Sequence, residues 1–188
     1  MKTEVKKESN LMYVLRLALT LLAITSVVAA ALAGVNSVTA PAIAQANEKK
    51  TQEAIEAVLP GGGEKTDFPA VEAGAPVSEV YKGENGYAVK VMPSGFGGTI
   101  EMMVGIGHDG KVLGISIIKH AETPSLGAVA ASKGSNGEGF RQSFVGLSGE
   151  IAVSKDGGEA DTISGATITS RAVAAGVNAA LDVVKAMG

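Results

Sequence analysis

From Leu17 to Asn47 the chain carries not one charged residue, and this run limits its folds more than anything else in it. Leu17 to Ala33 is almost wholly apolar, and extended to about Val38 it reaches the helix length of about 20 residues that crosses a bilayer core. Lys2, Lys6, Lys7 and Arg16 precede it. Basic residues stay on the cytoplasmic side, so the N-terminus is expected there and everything after the run outside. A cleaved signal peptide competes, because Ala31-Leu32-Ala33 and Ala42-Ile43-Ala44 resemble small-residue cleavage sites. The run outlasts the roughly 7 to 15 residues of a signal core, which favours a retained anchor. Both alternatives export the remainder of the chain.

The exported remainder is acidic. Setting aside Lys2, Lys6, Lys7 and Arg16 from the 16 bases, and Glu4 and Glu8 from the 19 acids, leaves 12 bases against 17 acids from residue 17 onward. No basic stripe remains for nucleic acid. Cysteine is absent and there are two histidines, so disulfides, thiolate iron–sulfur clusters and a dedicated transition-metal site are not expected. Any redox role would need an organic cofactor.

The exported part is expected to be α+β: an antiparallel sheet packed by helices, in a single domain. Asn47 is a plausible cap for a helix from Glu48 to Leu59, with Ala54, Ile55, Val58 and Leu59 on one face, lifting the domain off the membrane. Val77 to Lys82 and Tyr87 to Met92 flank Glu84-Asn85-Gly86, a strong hairpin signal. Thr99 to Ile106 and Lys111 to Ile118 flank His108-Asp109-Gly110 and predict a second hairpin. Between the hairpins, Gly95-Phe96-Gly97-Gly98 either lets backbone approach a flat ligand or forms a plain loop. Lys133 to Gly139 predicts a mobile loop, Phe140 to Phe144 a short helix and Ile151 to Val153 a short strand. The resulting division is a tail at 1–16, an anchor at 17–38, a linker and helix at 39–68, and a domain at 69–188.

The chemistry gathers in Asp161-Thr162-Ile163-Ser164-Gly165-Ala166-Thr167, followed by Ile168-Thr169-Ser170-Arg171 and an alanine-rich segment with a wide apolar face. That segment predicts a helix whose N-terminus lies near Thr167 to Ser170. Free amides and the positive end of the helix dipole favour an anion there, and Gly165 and Ala166 leave room for it. The alternative is that Thr167, Thr169 or Ser170 only caps the helix.

Asp161 to Thr167 resembles the flavinylation motif of the FMN-binding domain shared by the G subunit of the Rnf ion-translocating ferredoxin:NAD oxidoreductase and the C subunit of the sodium-pumping NADH:quinone reductase. His120-Ala121-Glu122-Thr123-Pro124-Ser125-Leu126-Gly127 is similar to a second segment of that family, with Ser125 where Gly is usual. The short chain sits nearer the Rnf protein of the two. The resemblance implies FMN joined by a phosphoester to Thr167, installed by a separate flavin transferase that uses FAD. Asp161, Ser164, Gly165 and Ala166 belong to the acceptor motif, and Glu122, Thr123, Leu126 and Gly127 lie near the flavin. It also implies an electron-transfer subunit of a larger inner-membrane (cytoplasmic-membrane) complex, with no catalytic residue of its own, no metal site and no complete reaction from this chain alone. Its expected partners are the other Rnf subunits, the transferase during maturation and membrane lipid. Two alternatives stay open: another anchored FMN carrier, or an anchored binding module without flavin.

Overall fold

The structure is a computed structural model that describes residues 2–69 and 75–188, with side-chain exposure described from residue 11 onward. The predicted start of the domain at 69 thus borders residues outside the described set, and the side chains of the basic tail at 1–10 lie outside it too. The chain divides into two compact units, Met1–Glu48 and Lys49–Gly188.

The first unit is the body of helix α1, Lys2–Val58, which is long and apolar enough to cross a membrane. Its large apolar side chains, from Leu11 to Ile43, are exposed. Asn47 caps nothing: α1 continues through Pro41 and Asn47. Ala42, Ala44 and Ala46 before Asn47, and Glu48, Lys49 and Lys50 after it, are strong helix formers, so no local signal stops the helix.

The second unit is built on an antiparallel meander of β1 (Glu64–Thr66), β2 (Val77–Gly83), β3 (Gly86–Val91), β4 (Glu101–Gly107) and β5 (Val112–Lys119), in that spatial order. Both predicted hairpins are present: Val80 faces Val89 across the first and Val104 faces Ile115 across the second. Side chains alternate between two buried faces. Val89, Val91, Met102, Val104 and Ile106 turn towards α3 (Thr167–Met187) and pack on Val173, Val177, Ala180 and Val184. Ala88 and Met103 turn the other way, onto Ala54, Ile55, Val58 and Leu59 at the end of α1. The apolar face predicted for that segment is therefore used to cover the sheet, and no spacer is left between it and the domain. The fit is close, since a Cβ on Gly105 would press into the Val58 carbonyl.

Two local expectations are corrected. Helix α2 spans Ser135–Gln142, so most of the predicted mobile loop is helical. Arg141 holds it by donating to the carbonyls of Ala130 (2.6 Å) and Ser132 (3.0 Å), and tertiary contacts of this kind outweigh the poor helix propensity of Gly and Ser. Phe140 and Phe144 anchor it as expected, ring edge to ring face at 5.3 Å. Ile151–Val153 is not a strand. The amide of Asn178 in α3 takes both backbone groups of Ile151, accepting from its N–H at 2.9 Å and donating to its C=O at 2.8 Å, and only a single parallel bridge joins Val153 to Ala160.

Candidate functional site

The acceptor turn is shaped by Gly165, whose φ of 74° lies where L side chains are strained. A Cβ there would also crowd Leu126 Cδ2 at 3.1 Å. The turn delivers Thr167 as the first residue of α3, with Ala166 at the N-cap and no side chain capping the end. The first backbone bond of the helix runs from Ser170 N–H to Ala166 C=O at 3.0 Å. The amides ahead of it belong to the set that a helix end leaves for an outside acceptor.

The three hydroxyls of this turn have different fates. Ser170 Oγ donates to Ala166 C=O and accepts from Ile163 N–H, both at 3.0 Å, tying the turn to the helix from within. Thr169 is buried and donates to Glu122 Oε2. Thr167 is half-buried, and among the described residues its hydroxyl takes no protein partner. The capping alternative thus fails in its simple form, and one hydroxyl is left free.

Glu122 organises the other side. It is 6% exposed, and its second oxygen, Oε1, accepts from Gly97 N–H at 2.8 Å. Its backbone N–H donates to His120 Nδ1 at 3.3 Å. One carboxylate therefore joins the glycine loop, the 120–127 segment and α3. The glycines around it leave it room: a Cβ on Gly95 would press on Oε1, and one on Gly127 on Oε2 and the Thr169 hydroxyl. Expected as a flavin neighbour, Glu122 lines the cavity while its oxygens bond to protein. Ser125 has a φ of 62° and is the one non-glycine residue with positive φ among those described. The backbone thus adopts there a conformation suited to Gly, the residue usual at this position in the resembling family.

Between these elements lies a cavity of about 360 Å³, lined by Glu122, Thr123, Leu126 and Gly127 from one side and Gly165 to Thr169 from the other. Phe96 and Lys155 complete it. The volume falls in the range of small-molecule sites, roughly 300–1,000 Å³. In the second unit four large apolar side chains are exposed among the described residues, and three of them line this cavity: Phe96 at 69%, Ile168 at 51% and Leu126 at 43%. Such clustering of exposed apolar surface marks a binding site. The glycine loop does two things at once, since it packs on Ala121 and Glu122 and presents Phe96 to the cavity.

Of the residues singled out from sequence, Glu122, Thr123, Leu126, Gly127, Gly165, Ala166 and Thr167 come together here. Asp161 and Ser164 do not. They line an adjoining cavity of about 530 Å³ with Ser125, Asn136 and Phe140, and Asp161 N–H donates to Ser143 Oγ at 2.9 Å. Ile168 and Lys155 carried no assigned role in the sequence, and Thr169 figured there only as a candidate helix cap. Ile168 was legible in principle, as the apolar residue on the open side of a helix start, but nothing local marks Lys155.

Lys155 sits in a short 3-10 turn, Ser154–Asp156, tied to the acceptor segment at each of its residues. Ser154 Oγ meets Thr162 Oγ1 at 3.0 Å, and Lys155 N–H donates to the same oxygen at 3.2 Å. Asp156 is gripped by Arg171 of α3 through two bonds of 2.8 and 2.6 Å. The hydrogen bonds from Arg171 hold the Asp156 carboxyl below the usual carboxylate range, and Asp156 in turn raises the Arg171 guanidinium.

The FMN-binding domain family matches residues 95–182, from the glycine loop into α3. Almost the whole chain is similar to the G subunit of the Na(+)-translocating ferredoxin:NAD(+) oxidoreductase complex of Acetobacterium woodii, with 35% identity over 97% of each chain. The G subunit of the ion-translocating oxidoreductase complex of Methanosarcina acetivorans is 33% identical over 89% of this chain and 92% of its own. Its counterpart in the proton-translocating ferredoxin:NAD(+) oxidoreductase complex of Clostridium ljungdahlii is 40% identical over 52% of each chain.

Proposed function

The chain belongs to the family of G subunits of ion-translocating oxidoreductase complexes, and on that premise we propose that it is an electron-transfer subunit of such a membrane complex, holding FMN through a phosphoester to Thr167. The observation that carries the acceptor assignment is the free hydroxyl: of three in the first turn of α3, Thr169 and Ser170 are engaged by protein, and Thr167 opens on the cavity without a partner among the described residues. The residues present suit FMN. First-turn amides and the helix dipole favour its phosphate, Gly165 leaves room beside the acceptor, and Phe96, Leu126 and Ile168 offer apolar contact to a flat ring.

Loading is a phosphoryl transfer with no change of oxidation state. The Thr167 oxygen bonds to the FMN-side phosphorus of FAD, the bond from that phosphorus to the bridging oxygen breaks, AMP leaves with the electron pair, and the hydroxyl proton passes to solvent or a base of the transferase. Asp161 and Ser164, outside the Thr167 cavity, fit a role in presenting the motif to the transferase. Once bound, the flavin supplies the redox chemistry. Phe96, Leu126 and Ile168 would hold the ring against apolar walls, Thr123 and the 120–127 backbone would flank it, and the first turn of α3 would hold its phosphate end. A covalent tether also prevents loss of the cofactor to the large volume outside the cell.

The helix of the first unit serves as a single-pass anchor in membrane lipid, with the basic N-terminus cytoplasmic and the flavin domain on the far face. Its partners are the remaining subunits of the Rnf-type complex and the flavin transferase during maturation. The relatives' names include both sodium and proton translocation.

Co-expression with the transferase, followed by flavin fluorescence on a denaturing gel, tests the assignment. Thr167→Val is expected to abolish the band. Thr169→Ala should keep it, while lowering stability by about 1–3 kcal/mol because Glu122 loses a buried donor. Label persisting on Thr167→Val would defeat the assignment.

A further inference from the structure

We infer that Lys155 recognises the phosphate of the flavin nucleotide at Thr167, an assignment that rests on the cavity being the FMN site. Among the described residues, Glu122 and Lys155 are the two charged residues lining it. Both oxygens of Glu122 are turned to protein donors, so its acceptors are taken up within the protein. Among the described residues, Lys155 is the one basic side chain lining the cavity.

The position of that lysine is fixed by its neighbours. Ser154 and the Lys155 amide hold Thr162, inside the acceptor motif, and the Asp156 carboxylate holds Arg171, in the first turns of α3. A surface lysine needs none of these ties. They fix the backbone of Lys155 against both the turn before Thr167 and the helix after it, which leaves its own flexible stem to adjust to an incoming phosphate. Arg171, although closer to Thr167 in sequence, is occupied by Asp156. The division of labour is that Arg171 fastens the loop and Lys155 meets the ligand. The contact adds a point charge to the fixed dipole of the helix end, and both act on the same phosphate.

Binding of FMN and of riboflavin to the full-length, unloaded protein in detergent separates this contact from those to the ring, because the two ligands differ only by the phosphate. Flavin fluorescence quenching gives both dissociation constants. The unaltered protein should prefer FMN, and the preference should shrink as salt rises. Lys155→Met should weaken FMN by about tenfold, the size of one partly exposed charge-assisted hydrogen bond, and leave riboflavin unchanged, while Lys155→Arg restores the preference. Under co-expression Lys155→Met should also take label on Thr167 more slowly. An FMN-to-riboflavin ratio identical in Lys155→Met and the unaltered protein would overturn the inference even with Thr167 labelled normally. Failure of the unaltered protein to bind FMN or take label would instead defeat the site itself, and the inference with it.

Discussion

The two ends of α3 each border a cavity, and the larger one is at the wrong end for an anion. At the C-terminal half, about 840 Å³ is lined by Tyr87, His108, Asp109, Glu150, Asp182 and Lys185, among others. At the N-terminus the cavity is less than half that volume. The C-terminal end of a helix carries partial negative charge, and Asp109, Glu150 and Asp182 add to it against Lys185. Among the described residues, the N-terminal end offers amides and a hydroxyl that take no protein partner, and a lysine. Volume therefore misleads here, and what distinguishes the two ends is the direction of the helix and the groups gathered around it. The glycines differ as well. Gly127, at the N-terminal cavity, is crowded by the buried Glu122 carboxylate and Thr169, whereas Gly110 and Gly149 at the other have open space around them and are glycine for their positive φ instead.

The contrast between the ends is most easily broken at Glu122. Glu122→Ala leaves the Gly97 N–H and the Thr169 hydroxyl without an acceptor, and a loss of about 2–4 kcal/mol is expected, read by thermal or denaturant unfolding and accompanied by poor flavin loading. A variant as stable as the unaltered protein would mean that the carboxylate does not bracket the glycine loop to α3. A smaller effect of opposite sign is expected at Ser125. Ser125→Gly relieves left-handed strain of about 1–2 kcal/mol against about 0.5–1 kcal/mol of added chain entropy, so unfolding should shift to slightly higher temperature. A fall would show that the serine side chain contributes more than its backbone costs. The smallest effect belongs to the other cavity: Asp182→Asn, on an exposed turn of α3, should change stability by less than about 0.5 kcal/mol and leave labelling of Thr167 untouched. Loss of label in that variant would reverse the roles given to the two ends.

Local signals carried much of this into the sequence. The hairpins were legible because β-prone runs flank Glu84-Asn85-Gly86 and His108-Asp109-Gly110, and the start of α3 because hydroxyls and small residues give way abruptly to an alanine-rich apolar face. The pairing of Glu122 with Thr169 was not legible. Forty-seven positions separate them, and neither residue announces that it will be buried. Lys155 was hidden for the same reason, since its place depends on Thr162 and Arg171 meeting its neighbours across a turn. Local propensity pointed the wrong way twice: Gly and Ser at 135–139 suggested a loop where Arg141 pins a helix, and Asn47 suggested a cap where good helix formers on both sides carry α1 through. The serine at 125 looked like a departure from the resembling family's pattern, and only its φ explains why glycine is usual there.

The most direct measurement of the phosphoester at Thr167 is the intact mass of the full-length protein purified after co-expression with the transferase, followed by the mass of the peptide containing Thr167. A gain of one FMN phosphoester is expected, confined to that peptide and absent from Thr167→Val. An unmodified mass from cells that load a known acceptor, or the same gain on a different residue, would contradict it.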